Sequence, residues 1–488
     1  MGALALAGAS AIRLTLQFAL LPLLARLVGP AEYGLVALAM PFILLANVLA
    51  DGGLGYALGR QREASRELES TVFWLTAGIG AALALFCCAA ALPMGAILHQ
   101  PRLPLLIMAL SPILLMNGLT GVSNGRIIRE GRFAVFAVGD LLSTAAGAAA
   151  AVTAAQHGWG AWSLVAQQLV LWTIKLIWVT SNGRAVVRFS WRFAEARPLL
   201  AFGLSTTGAI LADFVSRNLD SLIVGAVMGV SSLGFYAMAY QIVRVPDMLI
   251  SGPLYLYIFT AMSRTAGDAR RSAALAVSAL RFGSAVLAPL FCGLALTADL
   301  AVPLVLGPKW LGAIAPLQLL SGAGFFFCLC SIMATTAMGL GRSRLQLSMS
   351  LVLAFTTIVV VALSVGLGLG AVSGALAAGM GAVSLLYIRR LARELTLSSR
   401  ALLAAFTPAT VGVSTMTAAV LVARGQFACP STLGAFAVAM AAGAVAYLAV
   451  ITGFRRSLLQ DLSAFARAQS DAAEPGVVAV KSSLASVV

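Results

Sequence analysis

Charge is scarce in this sequence: 10% of the residues are charged, against 60% that are hydrophobic. Ahead of the C-terminal tail no stretch the size of a domain is polar enough to fold in water, which excludes a sizeable soluble domain. Histidine is almost missing. His99 and His157 fall in separate predicted loops, so a histidine-built zinc centre is excluded. The six cysteines (Cys87, Cys88, Cys292, Cys328, Cys330, Cys429) show no metal-ligand spacing and mostly lie in apolar runs. They read as small core residues, and no metal is expected. The phosphate-cradling pattern G-x-x-x-x-G-K-[ST] does not occur, which excludes ATP hydrolysis by that route.

What is abundant is apolar length. The chain has 488 residues and a mean hydropathy of +0.97. A helix needs about 20 apolar residues to cross roughly 30 Å of hydrocarbon. Such runs fall near 5–28, 34–56, 71–98, 103–123, 134–155, 160–180, 199–228, 233–258, 276–305, 315–338, 346–368, 370–388, 401–422 and 433–453. The expected fold is therefore an all-α polytopic membrane protein with about 14 transmembrane helices. Barrel strands would alternate in hydropathy, and these runs do not.

The formal charge of +15 and pI near 10.4 could suggest nucleic acid. The placement of the charges gives another reason. Every second loop is basic, from Arg60, Arg62 and Arg66 through Arg126, Arg129 and Arg132 to the tail's Arg455 and Arg456. The intervening loops hold only Arg26, Arg102, Lys309 and Arg424. That alternation is the positive-inside pattern, and it places both termini in the cytoplasm. No nucleic-acid partner is expected.

The chain also repeats itself. "LVGPAEYGLVALA" (27–39) aligns with "VMGVSSLGFYAMA" (227–239), so that Gly29 matches Gly229 and Gly34 matches Gly234. Six spans separate the copies, which gives them the same orientation: a parallel repeat of two lobes. The expected organisation is an N-lobe over 1–180, a cytoplasmic linker over 181–198 and a C-lobe over 199–390. Two further helices cover 391–454, and a largely disordered cytoplasmic tail covers 455–488.

Four basic residues fall inside predicted spans: Arg13, Lys175, Arg217 and Arg244. In "DFVSRNLDSLIVG" (213–225), Asp213, Arg217 and Asp220 share one helical face at i, i+4, i+7. Tyr236, Tyr240, Arg244 and Asp247 form a second polar stripe, and Ser10, Arg13 and Gln17 a third. Asp140 lies in the fifth span beside Ser143 and Thr144. A charge at mid-bilayer costs about 2.5–3.5 kcal/mol on insertion scales, so each needs a reason. One reading makes Arg217 with Asp213 or Asp220, and Arg244 with Asp247, local ion pairs; the other turns the basic residues into a cavity.

Three stretches resemble a known family. "ARLVGPAEYGLVALA", "RNLDSLIVGAVMGVSSLGFYAMAYQIVRVP" (217–246) and "VLGPKWLGAIAPLQLL" (305–320) are similar to the signatures of polysaccharide transporters, the Wzx-like oligosaccharide flippases of the MOP exporter superfamily. The resemblance runs over roughly residues 5–390. It implies a V-shaped, MATE-like pair of six-helix lobes in a bacterial inner membrane, with the last two helices appended. It also implies alternating-access translocation of an undecaprenyl-diphosphate-linked oligosaccharide for exopolysaccharide, capsule or lipopolysaccharide synthesis, with no enzymatic step and no cofactor. The expected partners are the lipid-linked oligosaccharide, membrane lipids and the polysaccharide polymerase or export machinery.

On that reading the diphosphate is held by a cavity drawn from Arg13, Gln17, Lys175, Arg217, Asn218, Tyr240 and Arg244, because arginine's planar fork suits phosphate oxygens. Asp140, Asp213, Asp220 and Asp247 are ion-pairing or proton-coupling candidates. A cation or drug antiporter of the same fold is the nearer alternative, although four intramembrane cations suit an anion better. A polytopic enzyme of polysaccharide assembly is the other alternative. A major-facilitator transporter is disfavoured, because "GYALGRQR" lacks that family's Asp-Arg pair.

Overall fold

The computed structural model describes the backbone of residues 2–51, 58, 65–183, 193–265, 267–426 and 431–461. Side chains are described over the same residues except 2–11, 14, 51, 193–217 and 249–253. Every long described element is helical. Hydrocarbon offers the backbone no water to bond, so apolar chain satisfies its N–H and C=O groups within each helix.

The helices are α1 Gly2–Leu27, α2 Pro30–Asp51, α3 Arg66–Ile97, α4 Leu103–Leu110, α5 Pro112–Arg129, α6 Phe133–Gln156, α7 Ala161–Gly183, α8 Phe193–Thr265, α9 Ala269–Ala301, α10 Ile314–Gly339, α11 Ser343–Ser364, α12 Leu369–Glu394, α13 Ser399–Gln426 and α14 Thr432–Gly453. Twelve stretches among the described residues are long and apolar enough to cross a membrane. The protein is thus a multi-pass membrane protein.

Two features depart from the apolar runs. The fourth run is split at Ser111, where Pro112 opens α5 without an N–H to continue the α4 ladder. The seventh and eighth runs are joined in α8, broken within by Gly229 at φ 82° and ψ 171°. Side chains rarely adopt that conformation, so glycine sits there for backbone reasons. Its repeat partner Gly29 lies in the break between α1 and α2.

The helices also overrun the apolar runs. Arg126 and Arg129 form the last turn of α5, and Arg393 the last turn of α12, where a cation favours the negative end of the helix dipole. Helical hydrogen bonding continues past the hydrocarbon edge because it still satisfies the backbone in the headgroup layer. Starts are capped where polar residues allow: Ser65 accepts from Leu68 N–H at 3.0 Å, Asp268 from Arg271 N–H at 3.0 Å and Ser431 from Gly434 N–H at 3.1 Å.

The chain forms two compact units. The first comprises Met1–Ala237 and Val305–Trp310; the second comprises Met238–Leu304 and Leu311–Val488. In the first, α6 packs along both α1 and α7, and α5 packs against α3 and α7. Buried Glu69 of α3 holds Arg129 of α5 at 2.5 Å. In the second, α9 packs against α10, α13 and α14. Helices α13 and α14 are pinned to α9 along its length. Arg424 pairs with Asp299 and donates to the Leu296 carbonyl at 3.0 Å, and Tyr447 donates to the Ala285 carbonyl. Beyond α14, Asp461 accepts from Ser278 at 2.6 Å.

Most of the predicted linker and tail (184–192 and 462–488) lie outside the described residues. Among the described cysteines, Cys87, Cys328 and Cys330 are buried and none forms a disulfide.

Candidate functional site

Two of the basic residues within predicted spans meet at one carboxylate of the first unit. Asp140 of α6 faces Lys175 of α7 at 2.9 Å through Oδ1 and Arg13 of α1 at 3.6 Å through Oδ2. Helix α6, packed against the following helix α7 and the sequence-distant α1, therefore brings two cations to one acid, leaving a formal surplus of one positive charge. Local packing explains how α6 and α7 come so close. Gly139 lies under the indole of Trp178, where a Cβ would approach Trp178 Cδ1 to 2.3 Å. The Trp178 indole N–H in turn donates to the Val135 carbonyl at 2.9 Å. That notch sits one residue before Asp140.

The two cations are held differently. The Lys175 ammonium also lies 5.5 Å from the Phe136 ring centroid and 5.4 Å from that of Trp172. Phe136 precedes Asp140 by one helical turn and Trp172 precedes Lys175 by three residues, so each ring shares its helix face with the charge it serves. Arg13 makes no hydrogen bond among the described residues, and its 3.6 Å contact is too long to be one. Its side chain is 37% exposed, against 20% for Lys175 and 22% for Asp140. A guanidinium in mid-span with that exposure is costly against lipid. Ser143 and Thr144 bond the Asp140 carbonyl at 3.1 and 2.6 Å, not its carboxylate. Gln17 is exposed one turn along α1 from Arg13.

The other sequence candidates fall elsewhere. Asp220 is buried, with its carboxylate accepting from the Tyr236 hydroxyl at 2.7 Å and from Ser221 N–H at 2.8 Å. Tyr236 is wholly buried, so its hydroxyl is committed to that bond and not open to a sugar. The side chains of Asp213 and Arg217 lie outside the described residues; Asn218 is half-buried. In the second unit Asp247 accepts from the Tyr255 hydroxyl at 3.3 Å and lies 3.5 Å from Cys328 Sγ. Exposed Arg244 is not paired with Asp247 among the described residues, and Tyr240 is half-buried. No group of three His, Cys, Asp or Glu side chains among the described residues could hold a metal.

Sequence reasoning missed Phe136 and Trp172, and it missed a second cluster where α1 and α2 meet. There Glu32 accepts two bonds from Arg102, at 2.6 and 2.9 Å, and one from Ala161 N–H at 2.9 Å. That contact holds the Arg102 guanidinium above its ordinary pKa. Beside it Trp310 is fully buried, its indole N–H donating to the Ala25 carbonyl at 2.7 Å and its ring meeting Tyr33 and Phe235 edge-on. Arg26 donates to the Val305 carbonyl at 3.1 Å. The sequence signal was present in "EYG" and "GPKW", which could be matched as motifs but not paired.

The fold is similar to that of solved membrane transport proteins. The solved structure of lipid II flippase MurJ in an inward closed conformation superposes with a TM-score of 0.74 over 93% of this chain and 99% of that one, at 13% identity. Sequence narrows the class. A family described as polysaccharide biosynthesis proteins matches residues 23–315, and this chain belongs to it. Among curated relatives, the succinoglycan biosynthesis transport protein ExoT of Rhizobium meliloti (strain 1021) is 28% identical over 63% of this chain and 62% of its own length. The lipopolysaccharide biosynthesis protein WzxC of Escherichia coli (strain K12) is 25% identical over 65% of each. The chain thus spans just under two thirds of the length of the curated relatives it matches.

Proposed function

We propose that this protein is a flippase that carries a polyprenyl-diphosphate-linked oligosaccharide across a bacterial inner membrane by alternating access. The observation that carries the reading is the Arg13–Asp140–Lys175 cluster: two cations within spans, one acid, and a guanidinium with its donors uncommitted among the described residues. A diphosphate offers the charge and the acceptor oxygens that this surplus calls for, and Arg13 presents a fork matched to them. Family membership and the relatives' names, which speak of polysaccharide transport and lipopolysaccharide synthesis, support the substrate class. A drug or cation antiporter of the same fold would favour an acidic surplus, and the cluster has the opposite sign.

Arg217 and Arg244 are further candidate phosphate contacts, and Gln17, Asn218 and Tyr240 candidate polar lining. Asp213 is the candidate to balance Arg217. Both termini are cytoplasmic, as the loop charges require. The product is handed to a polymerase or export assembly. The test is complementation of a deletion strain. Arg13→Ala and Lys175→Ala should each abolish polysaccharide export at unchanged membrane abundance, and Arg13→Lys should restore only part of it. Full export by both alanine variants would overturn the cavity.

A further inference from the structure

The two cations on Asp140 differ in how they are fixed, and that difference assigns them separate tasks. Lys175 is enclosed on three sides, by the Asp140 carboxylate at 2.9 Å and by the Phe136 and Trp172 rings at 5.5 and 5.4 Å. A lysine in a span ordinarily reaches along its stem for the headgroups. Here the ring faces replace the water an ammonium would seek, because their quadrupoles present negative charge to it. Rings hold a cation without cancelling its charge, as a second carboxylate would. Lys175 is therefore fixed in place by groups of which only Asp140 is charged. Arg13 has the opposite character: a long contact to the far oxygen of the same carboxylate, no hydrogen bond among the described residues, and nearly twice the exposure.

We propose that Phe136 and Trp172 are positioning residues that make Lys175 the fixed anchor for a lipid-linked phosphate, while Arg13 is the arm that moves onto it. This rests on the diphosphate reading of the site. In the empty protein Asp140 occupies the place between the two cations. When a phosphate enters, its oxygens take over Arg13 first, since that contact is the looser one, and Lys175 stays where the rings hold it. Both rings thus act through Lys175 and need not touch the ligand.

The experiment uses the full chain in lipid nanodiscs, with undecaprenyl diphosphate in the bilayer as one probe and inorganic pyrophosphate in solution as the other. Trp172→Leu and Phe136→Leu should each weaken binding of the lipid probe roughly tenfold, within the range of a desolvated cation–π contact. Trp172→Phe keeps a ring face and should stay within about twofold of the native protein. In the double variant Trp172→Leu/Lys175→Ala the loss should be no greater than in Lys175→Ala alone, because the ring acts only through the ammonium. Additive losses, or native binding by both leucine variants, would overturn the positioning role. The second leucine variant carries the test if one of them fails to fold. Failure of the native protein to bind the lipid probe, or native affinity in both Arg13→Ala and Lys175→Ala, would instead overturn the underlying reading. Pyrophosphate binding as tight as the lipid's would show that the site takes free phosphate and not a headgroup.

Discussion

Gly34 and Gly234, matching positions of the internal repeat, lie face to face, and each makes the other's contact. A Cβ on Gly34 would come within 1.8 Å of the Val230 carbonyl oxygen, and one on Gly234 within 2.0 Å of the Pro30 carbonyl oxygen. Residues 30 and 230 are themselves repeat partners, so the contact obeys a two-fold exchange: what the first copy does to the second, the second does to the first. Backbone, not side chain, blocks the space, so no rotamer change could make room. Gly34→Ala and Gly234→Ala should each destabilise the protein by about 1–3 kcal/mol or force this contact apart. Thermal unfolding in detergent reads the first, and accessibility of a cysteine placed at Ala237 to a water-soluble maleimide reads the second. Native values for both measurements would remove the close packing.

Trp310 should be the most sensitive residue of the 305–310 segment. Its whole surface is buried within the first unit, it donates to the Ala25 carbonyl, and two aromatic rings meet it edge-on. Trp310→Ala should cost about 3–5 kcal/mol, the range for a buried tryptophan. Trp310→Phe should recover the packing but not the hydrogen bond, leaving a deficit of about 1–3 kcal/mol from the orphaned carbonyl. The comparison is made by thermal or denaturant unfolding in one detergent.

How far the sequence foretold this site depends on what kind of neighbour each residue needed. Helices were legible because a span's own length of apolar residues is the signal, and the structure has a break at Gly29 and at Gly229, matching positions of the expected repeat. Arg13 was singled out by its cost in a membrane, but the reason for that cost was not visible: its acid, Asp140, is on α6, and only its own helix could be searched. Lys175 was singled out in the same way, but the rings that hold it come from two helices and are ordinary apolar letters in an apolar chain. The reverse holds for Asp220. Its i, i+3 neighbour Arg217, whose side chain lies outside the described residues, suggested an ion pair; the structure adds a tyrosine sixteen residues later. Spacing along one helix is readable; which face meets which helix is set by packing between elements.

Tyr236 and Asp220 test that last point. If the hydroxyl is the acid's main partner, Tyr236→Phe strips one oxygen of a buried carboxylate of its donor and should cost about 1–3 kcal/mol. Asp220→Asn keeps an acceptor for the hydroxyl and should cost less. Urea unfolding of the detergent-solubilised protein ranks the two. If Asp220→Asn proves the more damaging, the charge of the acid matters more than its hydrogen bond, and a pair with Arg217 becomes the better account.

Asp461 should make the stability of the second unit depend on pH. The residue is 4% exposed and lies beyond the last span, accepting from Ser278 at 2.6 Å with the Arg281 guanidinium at 3.4 Å. Burial pushes its carboxyl above the ordinary 3.8, and the Ser278 bond and the Arg281 charge only partly oppose it. A raised acid binds its proton more tightly in the folded state. The folded state is therefore favoured below the unfolded value, loses stability as pH rises through the raised one, and stays at the lower level above it. Asp461→Asn removes the titration and keeps an acceptor for Ser278. Its unfolding temperature should match the native protein's near roughly pH 4 and exceed it near roughly pH 7. Parallel curves for the two proteins would show that this carboxyl does not titrate differently on folding. A native protein more stable than the variant near neutrality would show that attraction to Arg281 outweighs the cost of burial.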